Sequence, residues 1–118
     1  INDMSRRSNS DIVENIDKII RLVPKTTRII INNVFPVDEN LCRLPRANNA
    51  RIADLNHRIE KLCRLTDNCS FLDIQSQLVT KSGMLKREYH IGDGLHLSSR
   101  GYTIWINALR KSLHEFRK

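Results

Sequence analysis

The stretch "TRIIINNVFP", Thr27–Pro36, decides the fold. It opens with consecutive β-branched residues at Ile29, Ile30 and Ile31, whose stiffness at χ1 suits an extended backbone better than a helix. Its apolar residues run on instead of alternating with polar ones, which is the pattern of a strand covered on both faces, as in a parallel sheet. The reading is a strand over residues 27–36, and it requires helices on either side in sequence.

The flanking segments supply them. "SNSDIVENIDKIIRLVP", Ser8–Pro24, repeats apolar residues at Ile12, Ile16, Ile19, Ile20 and Val23, one face of a helix. Ser8 with Asp11 has the capping-box pattern, Ser10 is a rival cap, and Pro24 closes the segment. Downstream, Val37–Arg46 is irregular. From about Ala47 to Leu65 helical spacing returns at Ile52, Leu55, Ile59 and Leu62, with Arg51, Arg58, Glu60, Lys61 and Arg64 on the wet side. A second strand is predicted over Cys69–Gln75, with Phe71 and Leu72 in apolar surroundings. Leu78–Gly94 shows no sustained period and reads as a long loop, a kind of segment that usually carries function. A last helix follows, capped by Ser98 or Ser99, with a stripe of Tyr102, Trp105 or Ile106, Leu109, Leu113 and Phe116. Arg117 and Lys118 suit its carboxyl end.

The order is helix, strand, helix, strand, long loop, helix. Right-handed crossovers would set the two strands side by side and parallel, with helices on the faces. Two strands alone leave an open apolar edge, so further chain of the same domain is expected to cover it.

Composition sets the bounds. With 118 residues, 40% of them hydrophobic and 28% charged, the chain reads as one globular domain. The formal charge of +7 allows a nucleic acid or anionic surface as partner. The basic residues are nevertheless spread out, grouped at most as pairs such as Arg6 with Arg7, Lys86 with Arg87 and Arg110 with Lys111. Tyr102 and Trp105 fall within a helix, where rings more often pack than stack on bases, and Tyr89 is the other ring on offer. Nucleic acid is therefore disfavoured, and a basic interaction or nucleic-acid-binding module stands as the alternative reading. No apolar run approaches the roughly 18 residues of a membrane span. Cys42, Cys63 and Cys69 allow three thiols or one bridge plus a thiol. His57, Cys63, Cys69, His90 and His96 match no zinc motif, and Gly83, Gly92, Gly94 and Gly101 are too scattered to cradle a pyrophosphate. No metal or cofactor is expected.

"HIGDGLHLSSRGY", His90–Tyr102, holds the sharpest chemical pair. A histidine that takes a proton from a hydroxyl must present one ring nitrogen to it, while a carboxylate on the other fixes the tautomer and stabilises the imidazolium. Asp93 and His96, three apart in a glycine-rich turn, can meet that need. No nucleophile accompanies them: of Ser5, Ser8, Ser10, Ser70, Ser76, Ser82, Ser98, Ser99 and Ser112, none lies in a G-x-S-x-G turn.

"DGLHLSSRGY" resembles the last block of the SGNH hydrolases, also called GDSL-type esterases and lipases: D-G-x-H, a small or polar pair, a glycine and an aromatic residue. "IND" resembles the end of their G-x-N-D block, "RIIINNVFP" the strand that follows, and "ARIADLNHRIEKL" the helix carrying a buried asparagine, here Asn56. Leu97 stands where the family often has proline. The resemblance implies an α/β fold, a three-layer α/β/α flavodoxin-like domain of which residues 1–118 are an incomplete carboxyl-terminal portion with about two parallel strands and three main helices. It implies His96 as general base and acid, Asp93 as the group that orients and stabilises it, and Asn2 as an oxyanion-hole donor. Asp3 would orient local backbone, and Asn56 would contact a neighbouring loop. The nucleophilic serine would come from a G-D-S block in a missing amino-terminal half, so that half and a small acetyl or short acyl ester are the implied partners. The isolated chain is then expected to be inactive, with Asn2 frayed, and a noncatalytic remnant of an esterase fold remains a further alternative.

Overall fold

A computed structural model describes residues 1–116; Arg117 and Lys118, and the side chain of Phe116, lie outside the described residues. A 3-10 turn over Asn2–Ser5 leads into helix α1 (Asn9–Leu22), strand β1 (Ile29–Asn32), helix α2 (Asn49–Arg64), strand β2 (Cys69–Leu72), the single turn α3 (Gln75–Leu78), a 3-10 turn over Arg87–Tyr89 and helix α4 (Ser99–Phe116). β1 and β2 pair in parallel, Ile29 opposite Cys69 and Asn32 opposite Leu72, with α2 as their crossover.

The pleat sends alternate strand residues to opposite faces. Ile31 and Phe71 face a core of Met4, Ile12, Val37, Ile52, Leu55 and Ile59, built largely by α1 and α2. Leu72 faces the other way, onto Ile74, Leu78 and Leu85 with Ile104, Trp105 and Ala108 of α4. The result is the expected α/β arrangement, two parallel strands between helical layers. Each fully buried Ile or Leu contributes roughly 1.5–3 kcal/mol, so Ile52, Leu55 and Ile59, each at most 2% exposed, fasten α2 to the sheet.

Helix starts follow local chemistry. Ser8 Oγ accepts the Asp11 N–H at 3.1 Å, Asn48 Oδ1 the Arg51 N–H at 2.9 Å and Ser98 Oγ the Gly101 N–H at 3.2 Å. Ser8, not Ser10, caps α1, and Ser98, not Ser99, caps α4.

Four expectations are corrected. Both strands are shorter than predicted: beyond Asn33, whose N–H still donates to the Leu72 carbonyl, Val34 and Val37 bond to the α2 side chains Asn56 and Asn49, and beyond Leu72 the Ile74 N–H turns to Asn33 Oδ1. The supposed loop 78–94 has structure of its own: isolated antiparallel bridges join Val79 to Leu85 and His90 to Leu97, and Leu85 and His90 are buried. In α1, Ile19 is 63% exposed, since the buried edge runs through Ile12, Ile16 and Ile20. In α4 the predicted stripe is displaced by about one position: Tyr102 and Leu113 are 48% and 52% exposed, and Ile104, Trp105 and Ala108 face the core. Trp105 meets Phe35 edge to face at 5.2 Å, with Tyr102 stacked on its outer side at 6.1 Å.

Cys63 and Cys69 form a disulfide across the α2–β2 turn, leaving Cys42 as the free thiol. Among the described residues no helix is long and apolar enough to cross a membrane.

Candidate active site

The segment after β1 is built by asparagines. Asn56 Oδ1 accepts the Val34 N–H at 2.7 Å and its Nδ2 donates to the Val34 carbonyl at 2.8 Å. Two helical turns earlier, Asn49 treats Val37 the same way, at 2.8 Å for both bonds. Each side-chain amide thereby replaces a neighbouring strand for one residue. Asn33, 1% exposed, accepts the Ile74 N–H through Oδ1 at 3.1 Å and ties β1 to the segment after β2. Asn56 makes the loop contact expected of it. Asn33 and Asn49 were not anticipated, although Asn49 sits on the same helix face as Ile52, Asn56 and Ile59, and an amide on an apolar stripe is the available signal.

That segment ends at Asp38, whose N–H donates to the Gly94 carbonyl at 2.9 Å. Gly94 has φ +74°, and a Cβ there would stand 2.7 Å from the Asp38 carbonyl oxygen and 2.9 Å from the Cys42 nitrogen. Only glycine fits this approach. The carboxyl end of β1 thus seats the turn that carries Asp93.

In that turn Asp93 Oδ1 accepts the N–H groups of Leu95 and His96, both at 2.9 Å, and Oδ2 meets His96 Nδ1 at 2.5 Å. The hydrogen bond from the His96 ring, followed by those from the two backbone N–H groups, outweighs desolvation and holds the Asp93 carboxyl well below the usual carboxylate range. An ionised carboxylate at Nδ1 selects the tautomer with its proton there and leaves Nε2 as the free acceptor. The His96 side chain is 68% exposed, so Nε2 is open to a reacting group. Among the described residues no serine hydroxyl hydrogen-bonds to His96.

Asn2 lies in the 3-10 turn Asn2–Ser5. The turn is packed at its far end: Met4 is fully buried, and Arg51 donates to the carbonyls of Met4 at 2.7 Å, Arg46 at 2.8 Å and Arg7 at 3.1 Å, and to Asn9 Oδ1 at 3.0 Å. The Asn2 amide is exposed and makes no hydrogen bond. Asp3 orders local backbone through its carbonyl, which accepts the N–H groups of Arg6 and Arg7, not through its carboxylate. Ile1 and Leu95, the residues preceding Asn2 and His96, line one cavity of about 240 Å³ with Asn32, Asn33, Val34 and Phe35. It lies at the carboxyl end of β1, where open parallel sheets bind ligands. A larger cavity of about 630 Å³ between β2 and α4, lined among others by Asp73, Gln77, Asn107 and Lys111, shares no residue with the Asp93 turn.

The GDSL-like Lipase/Acylhydrolase family matches residues 1–104, from the "IND" segment through the Asp93 turn into α4. The chain belongs to this family. Among solved structures it is similar to a protein of Streptococcus pneumonia provisionally named a platelet activating factor, with 26% identity and a TM-score of 0.87 over 94% of this chain and 55% of that one. It is also similar in fold to a GDSL-like lipase of Bacteroides thetaiotaomicron, at 21% identity and a TM-score of 0.77 over 93% of this chain and 54% of that one. A provisionally named acylhydrolase of Bacteroides fragilis gives 23% identity and a TM-score of 0.77 over 93% and 53%. The chain thus spans about half the length of these structures. A comparison with curated proteins gives no match.

Two of the three rings considered for a nucleic-acid partner, and four of the arginines, have partners within the chain. Tyr89 and Trp105 pack against the second core cluster, and Arg21, Arg58, Arg64 and Arg100 pair with Asp17, Asp54, Glu60 and Glu88.

Proposed function

We propose that residues 1–118 are the carboxyl-terminal portion of a single serine ester hydrolase domain, in which His96 is the general base and acid, Asp93 orients it and Asn2 contributes to the oxyanion hole. The observation that carries this reading is the Asp93 carboxylate bonded to His96 Nδ1 with Nε2 left open. In the reaction Nε2 takes the proton of a serine hydroxyl as its oxygen attacks the ester carbonyl. The imidazolium then returns that proton to the departing alcohol, and water repeats the cycle on the acyl-enzyme. Asp93 stays ionised throughout and offsets the imidazolium charge. The serine comes from chain preceding Ile1, as do further oxyanion donors; each such donor lowers the barrier by about 3–4 kcal/mol. The substrate is a small acetyl or short acyl ester.

The protein extended by the coding sequence that precedes Ile1 is expected to hydrolyse p-nitrophenyl acetate and to lose nearly all turnover with His96→Ala. The 118-residue chain alone is expected to be inactive. Equal turnover in the His96→Ala variant would rule out the assigned base. A noncatalytic esterase fold is the second reading. That reading is favoured if the extended protein folds with the Asp93–His96 pair intact and turns over no ester.

A further inference from the structure

We propose that His90, a buried residue with no part in the mechanism above, is a positioning residue that aims Asp93 at His96. The proposal rests on the hydrolase reading only for its consequence in turnover. The stretch His90–Leu97 closes on itself: His90 bridges to Leu97, and the Ile91 N–H donates to the His96 carbonyl at 3.0 Å. Inside this closed loop lies the His90 ring, 1% exposed. Its Nδ1 accepts the Gly92 N–H at 3.0 Å and the Gly94 N–H at 3.2 Å, the two residues that flank Asp93. A ring nitrogen that accepts two N–H groups carries no proton, so the proton of the neutral ring sits on Nε2.

Nε2 has no hydrogen-bond partner and stands 3.7 Å from Asp38 Oδ2. Asp38 is the residue whose own N–H holds the Gly94 carbonyl. Gly94 is therefore gripped on its N–H by His90 and on its C=O by Asp38, while Gly92 is gripped by the same ring atom. The His90 carbonyl is in turn held by Arg87 Nη1 at 3.1 Å. With the residues on both sides of Asp93 bound through their N–H groups to one buried atom, the backbone position from which its carboxylate reaches His96 is fixed by the imidazole. His90 touches no reacting group; it acts through Asp93.

Asparagine places Oδ1 as many bonds from Cα as histidine places Nδ1, so His90→Asn keeps the acceptor, whereas His90→Leu fills the space without one. Nitrogen-15 NMR of the wild-type chain is expected to show His90 Nδ1 unprotonated and Nε2 protonated; a protonated Nδ1 overturns the proposal. Carbon-13 titration of the Asp93 carboxyl is expected to show the depressed ionisation in wild type and His90→Asn, and a return toward about 4 in His90→Leu. A folded His90→Leu that titrates as wild type overturns it. If His90→Leu does not fold, a folded His90→Asn that has lost the Asp93 depression overturns the proposal, and one that keeps it supports it. In the extended protein His90→Leu is expected to lower kcat by roughly 10²-fold with KM little changed, the cost of a misplacement on the order of 1 Å. Absence of ester turnover in the wild-type extended protein would instead remove the hydrolase reading and leave the NMR outcomes to decide the role of His90.

Discussion

Gly94→Ala tests how the sheet end holds the Asp93 turn. Two costs add. Forcing alanine into φ +74° costs about 1–2 kcal/mol. The new Cβ also meets the Asp38 oxygen at 2.7 Å and the Cys42 nitrogen at 2.9 Å, both backbone atoms that cannot rotate away. Relieving such overlap by backbone shifts costs typically about 1–3 kcal/mol more. Gly83 is the internal control, with φ +84° and nothing within 4 Å of its added Cβ, so Gly83→Ala carries the conformational cost alone. For 118 residues, an unfolding entropy near 2.1 cal/mol/K per residue makes 1 kcal/mol worth about 4 °C in Tm. Gly83→Ala should then lower Tm by about 4–8 °C, and Gly94→Ala by about 4–12 °C beyond that. Thermal unfolding followed by circular dichroism measures both. Because Gly94→Ala must move the turn, it should also weaken the Asp93–His96 bond, read as a rise of the Asp93 ionisation toward that of a free carboxyl. Equal Tm values for the two variants, with the Asp93 ionisation unchanged, would refute the claim that the sheet end seats the site.

Three further outcomes are expected. The folded-state ionisation of Asp93 lies below its unfolded value, so its stabilisation is complete above about pH 4 and is lost as pH falls through the folded value. Unfolding measured against pH should show the stability advantage of wild type over Asp93→Asn shrinking below pH 4, by well under about 1.4 kcal/mol per unit because the side chain is 41% exposed. Asn56→Ala strands the Val34 N–H and carbonyl and should cost about 2–4 kcal/mol in urea unfolding, with Asn56→Asp, which keeps the acceptor, intermediate. Reducing the Cys63–Cys69 bridge, whose residues are 6 apart, should cost about 2 kcal/mol and lower Tm by roughly 8 °C, with Cys63→Ser showing the same loss without reductant.

What could be read from the residues follows from the range of the interactions. Asp93 and His96 are three apart and meet within one turn, so their pairing was legible, as were the β-branched start of β1 and the stripe Ile52, Leu55, Ile59 of α2. In α4 the large apolar residues misled. The helix approaches so closely that a Cβ on Gly101 would lie 2.6 Å from the Tyr89 carbonyl, and the buried face is marked by small residues such as Gly101 and Ala108, while Tyr102 and Leu113 stay outside. The end of β1 was overextended because Asn49 and Asn56, far along the chain, take the hydrogen bonds that another strand would have made. His90 was passed over as a zinc candidate since its role depends on a loop that closes around it, a property of the backbone in space and not of spacing.

The central claim is that His96 activates an alcohol on a chain segment outside residues 1–118. The most direct measurement is covalent labelling of the extended protein with a fluorophosphonate, followed by peptide mass spectrometry, in wild type and His96→Ala. The account predicts one serine upstream of Ile1 phosphonylated in wild type and left unmodified in the variant. Equal labelling in both proteins, or no labelled serine in a folded wild type, would contradict it.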